Sequence, residues 1–268
     1  MELIQILGSI LLAIVVTVAG FGLALLAMRS VGYDQKTGKV SSLSVAPLLV
    51  GMLMNLLILA GVFAIYAFVA GRPLAEMGFQ FKENDMAFSG LIFLFTGLLA
   101  YLTIRRQHIT DAKISKGTLG SGKTNQPGLQ AMLVITLFAA ALQEEVLYRG
   151  MLLTLLRPFS LLTALLVSSL LFTLIHFVTS KISWRQAVNW FVAGVTLFVV
   201  YLLSGSVWVA TMVHLARNLA NSFILTDTPG ISFVKLKTPL SENGKLIYYS
   251  VLSSIVILLA LFWYVFSF

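Results

Sequence analysis

Residues 140–150 read Ala-Ala-Leu-Gln-Glu-Glu-Val-Leu-Tyr-Arg-Gly: two carboxylates and a guanidinium inside an otherwise apolar run. Ionised side chains at bilayer depth cost roughly 2.5–3.5 kcal/mol each on insertion scales, so they face a protein interior or a wet cavity and mark function. On a helix, Glu145 and Arg149 are i and i+4 and share a face, in the favoured order of acid before base. Glu144 projects about 100° away from Glu145. One carboxylate can thus be paired while its neighbour stays free for chemistry. The same three residues also read as a buried ion cluster that ties helices together.

Two further apolar stretches carry polar groups. Phe172 stands one helical turn before His176, where its ring can wall the same cavity. His214 and Asn218 share a helix face, Asn221 continues it, and Arg217 lies on a neighbouring face. His108, the third histidine, sits in a polar loop and reads as solvated. Singly, each polar group has a plain reading as interhelical glue. Together they would be costly to leave unpaired, and one shared, partly wet site removes that cost.

These groups suit hydrolysis. A carboxylate beside an imidazole acts as general base on a water. A second imidazole and a carboxamide on one helix face donate hydrogen bonds to a developing oxyanion. That equipment hydrolyses an amide inside a membrane. A zinc held by His176, His214 and a Glu is a chemical alternative, since two His and one Glu form a known catalytic ligand set. The chain has no Cys, no G-x-S-x-G elbow and no H-E-x-x-H pair, so thiol, serine-elbow and zincin chemistries lack their parts.

The elements that must position these residues are apolar helices. Of 268 residues, 59% are apolar and 10% charged, against about 25% charged in soluble domains. The mean hydropathy is +0.96. The expected fold is all-α, one integral membrane domain over residues 1–268. Eight spans are predicted, at about 3–28, 43–70, 86–104, 129–156, 160–178, 187–203, 207–225 and 246–266. Proline at 158 ends the fourth, and Ser204-Gly205-Ser206 makes a tight turn after the sixth. The opening run is expected to be a span rather than a cleavable signal, being long and without basic residues before it.

The odd-numbered loops carry 3, 5, 2 and 3 Lys or Arg and the even ones about four, so the odd loops are expected in the cytoplasm with both termini outside. The net charge of +8 is read as orientation and lipid-headgroup attraction, with membrane lipid as partner and no nucleic acid. Residues 117–124, Gly-Thr-Leu-Gly-Ser-Gly-Lys-Thr, match the P-loop letters. They lack the preceding buried strand and the following helix that the phosphate cradle requires, so no nucleotide partner is expected.

Three motifs now stand in order: Glu144-Glu145-x-x-x-Arg149, Phe172-x-x-x-His176 and His214-x-x-x-Asn218. This set resembles the CPBP family of intramembrane proteases, which includes type II CAAX prenyl endopeptidases and Abi-like bacterial proteins. The linking stretch, Phe191-Val-Ala-Gly194 through Ser204-Gly-Ser-Val-Trp208, is similar too. The resemblance covers about residues 129–222, which would form the catalytic core. It implies about eight membrane helices around a conical cavity. It assigns Glu144 and His176 to activation of the water, and His214 and Asn218 to the oxyanion, with Glu145, Arg149 and Phe172 in support. It implies a glutamate-type endopeptidase without a cofactor, zinc remaining the alternative. The substrate implied is a prenylated protein or peptide cut near its C-terminus. Bacterial peptide processing, bacteriocin immunity and a non-catalytic scaffold are the other readings. The membrane would be the plasma membrane in a prokaryote and the endoplasmic reticulum in a eukaryote.

Overall fold

A computed structural model describes residues 3–31, 45–107, 113–114, 127–179, 183–226, 231–235 and 240–266. His108 and the P-loop-like residues 117–124 lie outside the described residues. The described chain forms eight helices: α1 Leu3–Ser30, α2 Val45–Ala64, α3 Glu83–Gln107, α4 Pro127–Glu145, α5 Leu161–Thr179, α6 Trp184–Ser204, α7 Val207–Ala220 and α8 Glu242–Leu261. Four of them run on into wider, π-helical turns: Ile65–Val69 after α2, Val146–Leu152 after α4, Asn221–Leu225 after α7 and Phe262–Phe266 after α8. Helix α4 then regains α-helical pitch over Leu153–Leu156. A two-residue antiparallel bridge, Lys113–Ile114 with Val234–Lys235, is the extent of β pairing among the described residues.

Seven of these helices are long and apolar enough to cross a membrane. Eight spans were expected from the sequence. The one that falls short is α7 with its π turn, because His214, Arg217, Asn218 and Asn221 dilute its hydropathy. It is nevertheless the central helix, packed against α3, α4 and α6. Nine of its 14 residues are buried.

The ends of α7 are fixed by specific contacts. Gly205 takes a left-handed conformation (φ +68°) and closes α6 by donating its N–H to the Tyr201 carbonyl. Ser206 then caps α7, its hydroxyl accepting from the Val209 N–H. The same hydroxyl donates to the Gln80 carbonyl at 2.6 Å, and the Trp208 indole N–H donates to the Phe79 carbonyl at 3.1 Å. Gly78 (φ +79°) is required here, since a Cβ would lie 2.6 Å from the Gly205 carbonyl oxygen. Residues 78–80, between a short 3-10 helix at Leu74–Met77 and α3, thereby pin the entry of the site helix.

Long-range bonds show which helix ends meet. At one end Gln130 donates to the Ile231 carbonyl at 3.0 Å, Arg185 stands 3.8 Å from Glu242, and the β bridge joins the third and seventh loops. At the other, Gln5 donates to the Val69 carbonyl and Tyr264 to Asp85, both at 2.8 Å. The starts of α4, α6 and α8, which follow the third, fifth and seventh loops, therefore share one end of the bundle, the odd-loop end, and Gln5 and Tyr264 lie at the other.

Candidate active site

Glu145 is the last residue of α4 before its π-helical stretch, and Arg149 lies within that stretch. A π turn inside a transmembrane helix widens the backbone and recurs at functional sites. The expected pair still forms: Arg149 Nε lies 3.1 Å from Glu145 Oε2, and its NH1 donates to Oε1 at 3.3 Å. Both side chains are wholly buried. Arg149 NH2 donates to the Gly194 carbonyl at 2.9 Å, which ties α4 to α6. Gly194 also lets α6 pack closely on α5, since a Cβ there would lie 3.0 Å from Ser169.

His214 joins this pair. Its Nδ1 lies 2.8 Å from Glu145 Oε1, and its Nε2 lies 4.0 Å from Glu144 Oε2. An Nδ1 at that distance from a carboxylate carries its proton and donates it, so Glu145 orients the ring and leaves Nε2 directed at Glu144. Glu145 thus serves Arg149 and His214 together. Glu144 Oε2 is buried and has no hydrogen-bond partner.

His176 is held differently. Its Nδ1 lies 2.7 Å from the Phe172 carbonyl oxygen, so in the neutral ring Nδ1–H donates and Nε2 carries the lone pair. The Phe172 ring packs edge-on to His176 at 5.0 Å and to His214 at 5.8 Å, and the Arg149 guanidinium lies 5.0 Å over its centre. Phe172 therefore touches three of the site's residues, His176, His214 and Arg149, and sets their spacing. Trp190 of α6 covers the other side of His176 at 4.3 Å.

Asn218 lies one turn beyond His214 and lines a polar cavity of about 260 Å³ with Asn189, Trp190 and Arg217. Its carboxamide makes no hydrogen bond among the described residues. Contacts thus gather Glu144, Glu145, Arg149, Phe172, His176 and His214, and Asn218 faces the adjoining cavity. Asn221 is engaged elsewhere, accepting from Tyr249 at 3.0 Å.

Sequence reasoning passed over several residues. Gln143 is fully buried, with neither carboxamide atom hydrogen-bonded. Its position beside Glu144 in an apolar run was the available signal. Trp190 and the Gly194 carbonyl carried none, since both depend on how α6 is rotated. Among the described residues no three His, Cys, Asp or Glu side chains group so as to hold a metal ion. His214 Nδ1 is instead committed to Glu145.

The comparison with known families bears on this same region. Residues 126–220 match the family described as Type II CAAX prenyl endopeptidase Rce1-like. The Rce1-like segment runs from the start of α4 to the end of α7, so it contains every residue of the cluster and Asn218. At the level of that family, the match supports a CAAX-type membrane endopeptidase, a protease acting on a prenylated protein. With seven membrane-capable helices, the chain is an integral membrane protein. Among curated proteins none matches the chain.

Proposed function

We propose that this chain is an intramembrane endopeptidase in which Glu144 is the general base. The observation that carries the reading is the division of labour between adjacent carboxylates. Each carboxylate has a buried Oε2 without a hydrogen bond, but Glu145 Oε2 lies 3.1 Å from Arg149 Nε and its Oε1 takes Arg149 and His214, whereas Glu144 has no cation beside it among the described residues and only His214 Nε2 at 4.0 Å.

In this reading Glu144 takes a proton from a water that His176 Nε2 helps to orient. The water oxygen attacks the carbonyl carbon of the substrate peptide. The His214 ring, held by Glu145, and the Asn218 carboxamide face and stabilise the resulting oxyanion. Collapse of the tetrahedral intermediate breaks the C–N bond and passes the proton from Glu144 to the leaving amine. Glu145 and Arg149 hold His214 in place, and Phe172 spaces the two imidazoles. Residues 129–222 supply this core. No step needs a metal. The substrate would be a prenylated protein cut near its C-terminus, reached from the odd-loop end that the basic residues assign to the cytoplasm.

The test is cleavage of a fluorogenic prenylated peptide by purified protein in detergent, with and without a strong chelator. Turnover that is unchanged by chelation is expected. Turnover lost on chelation and restored by zinc would overturn the metal-free mechanism.

A further inference from the structure

The polar cavity beside Asn218 carries more positive charge than the cluster needs. It lies where the start of α6, the end of α7 and the start of α8 converge at the odd-loop end. Four charged side chains line it. Arg185 and Glu242 face each other across the rim at 3.8 Å, both partly exposed. Arg217 and Lys245 have no carboxylate within ion-pair distance among the described residues. The cavity therefore holds two cationic groups in excess of its one acid.

Arg217 is built in rather than draped over the surface. Its NH2 donates to the Asn189 carbonyl at 3.1 Å, and its guanidinium lies 4.2 Å over the Tyr249 ring. Tyr249 is itself fixed, donating to Asn221 at 3.0 Å. One edge of the guanidinium is anchored this way, and further donors of its planar fork remain for a ligand. Such a fork matches a carboxylate, and Lys245 adds a point charge. The unbonded Asn218 carboxamide lines the same space.

The position identifies the carboxylate. Trp190 lines the cavity and stacks on His176 at 4.3 Å, and Asn218 lies one turn from His214. An anion held here is next to the cluster where the peptide bond would break. A free C-terminal α-carboxylate a short way beyond the scissile bond would enter this adjoining cavity, and a volume of about 260 Å³ suits the end of a chain rather than its middle.

We infer that Arg217 and Lys245 form a subsite for the free C-terminal carboxylate of the substrate, so that the enzyme measures its cut from the chain end. This inference rests on the endopeptidase reading above. It explains how a membrane protease would restrict itself to C-termini: an internal segment offers no anion to the subsite.

The test compares two prenylated peptides of one sequence, one ending in a free carboxylate and one in an amide. Binding is measured to the Glu144→Gln protein in neutral-lipid nanodiscs, and cleavage by wild type in the same lipid. The acid peptide is expected to bind at least about tenfold more tightly than the amide. That ratio is expected to fall towards one in Lys245→Met and in Arg217→Gln. Thermal melting checks that the half-buried Arg217 variant is folded, and Lys245→Met tests the subsite if it is not. Equal binding of acid and amide, with both cleaved by wild type, would overturn the subsite and leave the protease reading intact. Absence of binding and cleavage for both peptides would overturn the reading and the subsite together. Equal peptide binding, with phosphatidylglycerol binding lost in the two variants, would make the cavity a lipid-headgroup site and overturn the inference.

Discussion

Helices α1 and α7 show opposite solutions to the same solvent. Helix α1 has a mean hydropathy of 2.7 over its best window, with 17% of that window buried. Seven of its 28 residues are buried. Helix α7 is too polar to count as a span by composition, yet nine of its 14 residues are buried. In water the apolar helix would be the core. In a bilayer, lipid satisfies apolar surface as well as protein does, so hydropathy does not drive α1 inward. Polar groups have no partner in lipid and must find each other inside. The helix that reads least like a membrane span is therefore the one at the centre of the bundle, and it carries His214, Arg217 and Asn218.

That contrast can be broken or sharpened by substitution. The largest stability effect is expected at Arg149. Arg149→Ala leaves Glu145 buried beside His214 without its cation, which costs about 3–5 kcal/mol. Poor yield and a clearly lowered Tm in detergent are the expected readouts, and normal melting would show that His214 alone satisfies Glu145. Next is Asn218→Ala. Loss of one oxyanion donor is expected to lower kcat by about 10²–10³ with little change in Tm. A change in KM alone would place Asn218 in binding only. Gly194→Ala adds a Cβ 3.0 Å from Ser169, and forced overpacking of this kind costs about 1–3 kcal/mol. Its activity should fall with its Tm, because the Gly194 carbonyl holds Arg149. The smallest effect belongs to α1. Leu11→Ala, at a position 63% exposed to the surroundings of the bundle, should shift stability by no more than about 0.5 kcal/mol. A large loss there would show that α1 packs against something besides lipid.

Much of this was legible in the sequence, for identifiable reasons. Span ends came within four residues of the helices, because apolar runs bounded by Pro158, Ser204-Gly205-Ser206 and polar loops leave little choice. The Glu145–Arg149 pair was legible because i and i+4 meet whatever surrounds the helix, even with a π turn between them. The His176–Phe172 contact followed from the same spacing. Contacts between helices were not legible. Glu144 and Glu145 are adjacent, and only the rotation of α4 against α7 decides which of them meets His214 Nδ1. Trp190 on His176, and Arg217 between Asn189 and Tyr249, likewise depend on helix rotation. Gln143 was missed because a lone amide next to two acids draws little notice, although its complete burial makes it as unusual as they are.

The central claim is that the two adjacent carboxylates do different work, and one paired measurement tests it most directly. Glu144→Gln and Glu145→Gln would be purified in parallel, with turnover of a prenylated peptide and Tm recorded for each. Glu144→Gln is expected to keep its Tm and lose turnover by at least about 10²–10⁴, the range for a general base. Glu145→Gln is expected to lose Tm, since Arg149 is then buried without its counter-charge. Substantial turnover in Glu144→Gln, or the same stability loss in both variants, would contradict the account.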